Sequence, residues 1–280
     1  MSRVFDALQK TGTPGGLTPE PLSPAAFVDA LEKNLRLESL LTARMQLGRE
    51  SRLVFHTEPN GPAAEKYRLM RLRLQQVRAD ANVKTLLITS PSAQEGKSTV
   101  ALNLAAALVE KRNQNVLLLE GDLRRPALTS MLGLKLPSGL TQCTRSEVGL
   151  QSVIWKVEPL GFYLLPAGKP LDNPAELLDS EWFPEVTAKL VDSFDWVIID
   201  SPPAIPVVDA LSLKRRADAS IVVAWAGRTQ QSAISDTIQA LGPDHVLGII
   251  LNGVKKFDRG YHDYYGYYVA KKEAEREGKA

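Results

Sequence analysis

The spacing of hydrophobic residues changes at about residue 63. From there on, short apolar runs alternate with stretches of helical period. TLLIT (85–89), NVLLLEGD (115–122), DWVIIDSPP (195–203), SIVVAWAG (220–227) and VLGIILNG (246–253) read as buried strands. Tyr67, Met70, Leu74 and Val77 share one helical stripe, and Val100, Leu104 and Leu108 share another. Buried strands alternating with helices predict an α/β fold: a doubly wound, mainly parallel sheet with helices on both faces. Such sheets bind ligands at the carboxyl ends of their strands, so the chemistry should follow the strands.

Residues 1–60 follow no such rule. GTPGGLTPEPLSP (12–24) is a Gly/Pro-rich linker. Ser23 and Pro24 then suit the cap and first position of a short helix, with Phe27, Leu31 and Leu35 on one face. RESRLVFHTEPNGP (49–62) reads as extended linker. The expected organisation is an N-terminal appendage (1–60), a main domain (61–255) and a flexible tail (256–280).

Composition narrows the class. The chain has 280 residues, with 34 Lys and Arg against 32 Asp and Glu, a net charge of +2. That balance gives no field favouring nucleic acid or anionic lipid. No apolar run approaches the ~18–20 residues of a membrane span. Asp6 interrupts the region where a secretory signal would be apolar. The single cysteine, Cys143, excludes an internal disulfide and a multi-cysteine metal site. His56, His245 and His262 are scattered and offer no zinc-binding spacing. A cytoplasmic protein is expected.

Three strand ends carry candidate chemistry. After TLLIT, the segment Ala93-Gln94-Glu95-Gly96-Lys97-Ser98-Thr99 opens a helix, the context of a phosphate-binding loop. Lys97 would reach the β/γ-phosphates and Ser98 would ligate Mg²⁺. Pro91 stands where the first glycine of the usual pattern would be. At the third strand's end, Asp200 suits Mg²⁺ as a Walker-B carboxylate. LLLEGDLRRP places Glu120, Asp122 and Arg124 at the second strand's end. Two residues apart in an extended segment, Glu120 and Asp122 would point the same way, as a base or further metal contact.

With these motifs in place, residues 63–268 resemble the bacterial tyrosine kinases of capsular and exopolysaccharide synthesis. The family's three motifs correspond here to SAQEGKST, EGDLR and DSPP; LPAGKPLDNPAELL (165–178) and Asp209 match it too. Glu120 replaces the first Asp of the family's DxDxR motif. The resemblance implies ATP and Mg²⁺ as cofactors and tyrosine autophosphorylation. It places Lys97, Asp122, Glu120 and Asp200 in catalysis, Ser98, Asp122 and Asp200 at the metal, and residues 93–99 with Arg124 at the nucleotide. Asp122 is the preferred base.

The tail fits this reading independently. Tyr261, Tyr264, Tyr265, Tyr267 and Tyr268 crowd an eight-residue stretch without apolar periodicity. Accessible hydroxyls there are expected phosphoacceptors. A tyrosine with a pKa of about 10 needs a base to lose its proton. Glu65, Arg68 and Arg71 form an ExxRxxR band on the first helix. The resemblance implies ring-like self-association through it. It also implies activation by a membrane polysaccharide co-polymerase, a cognate tyrosine phosphatase, and a location at the inner membrane through the partner. Two other readings compete: a positioning ATPase, whose signature lysine is here Ser92, and a non-catalytic nucleotide-binding scaffold.

Overall fold

The computed structural model describes residues 35–254, apart from residue 49 and the stretches 111–113, 145–147 and 206–207. The expected helix after Ser23 lies outside the described residues, except for Leu35. The tyrosine-rich tail lies wholly outside them.

The described strands are β1 (Leu41–Arg44), β2 (Thr85–Thr89), β3 (Val116–Glu120), β4 (Trp155–Glu158), β5 (Tyr163–Leu165), β6 (Trp196–Asp200), β7 (Ala219–Trp225) and β8 (Val246–Asn252). They form one sheet in the order β1-β4-β5-β3-β6-β2-β7-β8. Every pairing is parallel except β4 with β5, so β1 and β4 run against the rest. The described helices are α1 (Val54–Thr57), α2 (Pro62–Ala81), α3 (Lys97–Val109), α4 (Leu128–Met131), α5 (Leu140–Thr144), α6 (Pro174–Leu178), α7 (Trp182–Ser193), α8 (Asp209–Lys214) and α9 (Gln231–Leu241).

The two-residue alternation of the strands divides the core. Leu86, Ile88, Leu118, Trp196 and Ile198 face one layer, together with α2 and α3. Leu87, Leu117, Leu119, Val197 and Ile199 face the other, with residues of α7, α8 and α9. β2, β3 and β6 are buried along their whole length because helices cover both faces. α3 is buried almost all round, since α2 packs over its outer side. The doubly wound prediction therefore holds.

Three readings need correction. Part of the expected appendage belongs to the domain. β1 completes one sheet edge, and Leu53, inside the expected linker, is fully buried. Asn103 of α3 explains this docking: its Oδ1 accepts from the Val54 N–H at 2.8 Å and its Nδ2 donates to the Arg52 carbonyl at 2.9 Å. β4 and β5 are additional to the expected strands; with four and three residues they are too short to show a period. β8, expected to be buried, is an edge strand that exposes Leu247, Ile249 and Leu251.

Candidate active site

The site forms where β2, β3 and β6 end side by side. Register sets Asp200 level with Ile88 on one side and Glu120 on the other. The phosphate loop, the acidic loop and Asp200 thus leave the sheet together. Gly121 permits the close approach: its N–H donates to the Asp200 carbonyl at 2.7 Å, and a Cβ there would lie 2.9 Å from that oxygen.

The phosphate loop is braced by β7 and β8. Gly96 has φ +85, and a Cβ on it would come within 2.1 Å of Asn252 Nδ2. That amide donates to the Glu95 carbonyl at 3.0 Å. Arg228 donates to the Gln94 carbonyl and lies over the Trp225 ring. The buried Glu95 carboxylate accepts from Thr229 Oγ1 at 2.8 Å. Sequence reading missed Arg228, Thr229 and Asn252 as members of the site. Their signal was present, because they end or directly follow apolar strands. Of the remaining expected loop residues, Ala93 and Gln94 are exposed, while Lys97, Ser98 and Thr99 are half-buried at the start of α3.

Lys97, Ser98, Asp122 and Asp200 come together as expected. Lys97 Nζ lies 3.4 Å from Asp122 Oδ2. Asp122 Oδ1 accepts from the Arg125 N–H at 3.0 Å, which fixes the carboxylate's orientation. Asp200 is buried, with the Ser98 side chain and Lys97 close enough to act on its carboxyl. Asp200 Oδ1 has no partner among the described residues. Burial pushes the Asp200 carboxyl up to about 7; Lys97 and Ser98 oppose the rise, and Glu120 and Asp122 add to it.

Glu120 is placed differently from expectation. β3 ends at Glu120, so Asp122 lies beyond the strand and the two side chains have different partners. Glu120 Oε1 accepts from the N–H groups of Ala127, at 2.6 Å, and Leu128. Its Oε2 accepts from the Ala167 N–H at 3.0 Å. Burial raises the Glu120 carboxyl while these three amides pull it down. Both oxygens are committed to backbone, so Glu120 holds the acidic loop in place, whereas Asp122 is the carboxylate that meets Lys97. Arg124, expected at the nucleotide, grips the buried Asp209 instead, with Nε to Oδ2 at 2.7 Å and Nη2 to Oδ1 at 3.2 Å. It also donates to the Asp172 carbonyl at 2.8 Å, joining two loops to the start of α8.

The ExxRxxR band also has partners within the chain. Arg68 Nε lies 2.9 Å from both oxygens of Glu110, at the C-terminal end of α3, and Arg68 also pairs with Glu65. The buried Arg71 donates to Glu110 Oε2 at 2.7 Å and to the Ala107 carbonyl at 2.8 Å. These bonds fasten α2 to the helix that begins with Lys97. Leu69 and Leu72, beside the band, remain exposed.

The oxygen donors suit Mg²⁺, a hard cation bound through one or two carboxylates plus substrate phosphates. The unpartnered Asp200 Oδ1, with Ser98 and Asp122 adjacent, supplies such donors. Among the described residues no three His, Cys, Asp or Glu side chains converge as a self-sufficient metal site. Phosphates would have to complete the shell.

Comparison with known proteins agrees with this geometry. Residues 85–240 match the AAA domain family. The chain is 34% identical over 217 residues to tyrosine-protein kinase YwqD of Bacillus subtilis, covering 77% of this chain and 90% of that one. It is 31% identical over 241 residues to the succinoglycan biosynthesis transport protein ExoP of Rhizobium meliloti, covering 84% of this chain but 30% of that one. Other long relatives are likewise matched over about a third of their length. The kinase domain of the Escherichia coli tyrosine kinase ETK superposes with a TM-score of 0.70 at 28% identity, covering 76% of this chain and 84% of that one. A septum site-determining protein MinD from Pyrococcus horikoshii, complexed with Mg-ADP, gives 0.52 at 26% identity, covering 63% and 72%. With a relative at 34% identity over most of both chains and a kinase domain of the same fold, the chain belongs to the bacterial tyrosine kinases, built on a P-loop nucleotide-binding fold.

Proposed function

We propose that the chain transfers the γ-phosphoryl group of ATP to tyrosine hydroxyls, first those of its own cluster Tyr261, Tyr264, Tyr265, Tyr267 and Tyr268. The observation that carries this is the pairing of Lys97 with Asp122 beside the buried Asp200, whose Oδ1 has no partner among the described residues. Nucleotide phosphates draw Lys97 from Asp122, so one event neutralises phosphate charge and frees a carboxylate. Backbone N–H groups of the loop and the start of α3 hold the phosphates. Ser98, Asp200 and Asp122 would hold Mg²⁺, which would offset charge on the β- and γ-phosphates. The tyrosine oxygen bonds to the γ-phosphorus as the bond to the β,γ-bridging oxygen breaks. Asp122 takes the hydroxyl proton and ADP leaves. Catalysis is mostly positioning and electrostatics, as for phosphoryl transfer generally.

Relatives named for polysaccharide production support a role in regulating exopolysaccharide polymerisation and export. No helix among the described residues is long and apolar enough to cross a membrane. A membrane co-polymerase would activate the chain and keep it at the inner membrane. A tyrosine phosphatase would reset the cluster. Copies of the chain would form a ring through α2, whose exposed Leu69 and Leu72 offer the apolar contact.

The test is intact mass and peptide mapping after incubation with Mg·ATP, with and without the co-polymerase's cytoplasmic segment. Wild type should carry phosphate on the tail, while Lys97→Met and the five-Tyr→Phe chain should carry none there. ATP hydrolysis without phosphotyrosine would favour the positioning ATPase. Bound ATP without either reaction would favour the scaffold.

A further inference from the structure

Two non-glycine residues among those described have a positive φ. Asn82, at 52°, follows α2, where asparagine is a usual helix terminator. Gln94, at 62°, lies inside the phosphate loop with its side chain exposed. An exposed glutamine does not favour that conformation by itself, so its surroundings must impose it. They do so from one side. Arg228 donates to the Gln94 carbonyl. Asn252 Nδ2 donates to the next carbonyl, that of Glu95, at 3.0 Å, while its Oδ1 accepts from the Gly253 N–H at 2.9 Å. Thr229 Oγ1 accepts from the Trp225 N–H at 2.7 Å and donates to the Glu95 carboxylate at 2.8 Å. Glu95 is 2% exposed, and its Oε2 has no partner among the described residues, so the Thr229 hydroxyl anchors the carboxylate. All three tethers come from the end of β8 or the turn between β7 and α9, 134 to 157 positions from the loop.

We propose that Glu95, Thr229 and Asn252 are positioning residues, a latch that holds the phosphate loop in its binding shape before any nucleotide arrives. Thr229 and Asn252 spend their polar groups on the protein, so they act on phosphate through the loop backbone. The strain at Gln94 is balanced in advance by bonds within the chain. The loop N–H groups then need little rearrangement when phosphates bind, and less of the binding free energy goes into ordering them. The ligand rests on the nucleotide part of the reading above. The latch itself does not depend on which group accepts the phosphoryl.

Hydrogen–deuterium exchange of the full, nucleotide-free chain tests the latch. Peptides covering 92–97 should exchange roughly 3–10-fold faster in Thr229→Val and in Asn252→Ala than in wild type, the effect of one lost hydrogen bond. Saturating Mg·ADP should remove the difference. Affinity for Mg·ADP, by calorimetry, should fall by roughly the same 3–10-fold in each variant. Two further changes separate positioning from general stability. Thr229→Ser keeps the hydroxyl and should follow wild type in both readouts. Gln94→Gly removes an exposed side chain that opposes a positive φ, and should recover part of the affinity lost in Asn252→Ala. Unchanged loop exchange in Thr229→Val and Asn252→Ala would overturn the proposal; weaker Mg·ADP binding without it would mean that these residues touch the nucleotide. Failure of Gln94→Gly to recover any affinity would overturn it too. If wild type bound no Mg·ADP, the nucleotide reading would fail, and the exchange comparison would still decide the latch.

Discussion

Two charged clusters flank α3, and they are built on opposite principles. At its C-terminal end, Glu65 and Glu110 meet Arg68 and Arg71, two anions against two cations, with contacts of 2.5–2.9 Å around Glu110. At its N-terminal end, three carboxylates, Glu120, Asp122 and Asp200, gather near one lysine, Lys97, which lies 3.4 Å from Asp122. The first cluster is neutral and nearly closed, with Arg71 Nε its one buried atom lacking a partner among the described residues. The second carries a formal excess of two negative charges and leaves Asp200 Oδ1 unpartnered. A closed cluster fixes structure, because its charges are already satisfied. An open one is poised for a ligand, because burying unbalanced carboxylates costs free energy that a cation can recover. Perturbed groups gather at functional sites for this reason.

The contrast should break cleanly under mutation. The largest effect belongs to the open cluster. Lys97→Met should slow phosphotyrosine formation by roughly 10²–10³-fold or more, as for loss of a transition-state charge contact. Its melting temperature should stay near wild type. Initial rates by intact mass check the first expectation, and thermal denaturation the second.

Glu110→Gln should do the reverse. It leaves the buried Arg71 without its carboxylate and should lower stability by about 1–3 kcal/mol. The loss is moderated because Glu110 is itself partly solvated. The rate per folded molecule should hold, as read by urea denaturation beside the kinase assay.

Glu120 lies between the two behaviours. Glu120→Gln keeps one acceptor oxygen and turns an NH₂ toward a backbone N–H, at a cost of about 1–3 kcal/mol. Glu120→Asp lacks the methylene that lets one carboxylate reach both Ala127–Leu128 and Ala167, and should lose less. Rate should fall with stability in both, because Asp122 shifts with its loop. If Glu120→Gln kept its stability while losing the reaction, Glu120 would be the base after all.

The smallest effect is a pH dependence. Asp200 has its carboxyl raised from 3.8 to about 7. The nucleotide-free folded chain therefore binds more protons than the unfolded chain between those values. This contribution to stability is complete below the lower value and is lost as pH rises through the upper one. Asp200→Asn removes it, so the melting temperature of that variant relative to wild type should climb by a few degrees between about pH 5 and pH 8. A constant difference would contradict the assignment.

Much of this was legible in the sequence, for physical reasons. β2, β3 and β6 are continuous apolar runs because helices cover both their faces. Lys97, Ser98, Asp122 and Asp200 could be named because the fold binds at strand ends. Reading failed where the cause is tertiary. The partners of Glu120 were not legible because Ala127 and Ala167 lie 7 and 47 positions away. Arg124 and Arg71 found intramolecular partners 85 and 39 positions away, beyond any local pattern. Leu53 looked like linker because a single buried residue held by Asn103 has no period. β8 read as buried because an apolar strand at a sheet edge has the same composition as a central one.

The most direct test compares Asp122→Asn with Glu110→Gln, measuring the rate of tail phosphorylation per folded molecule at saturating Mg·ATP. The account expects Asp122→Asn to be nearly inactive at wild-type stability, and Glu110→Gln to be active at reduced stability. An active Asp122→Asn chain, phosphorylating its tail at the wild-type rate, would contradict the claim that the open cluster performs the chemistry.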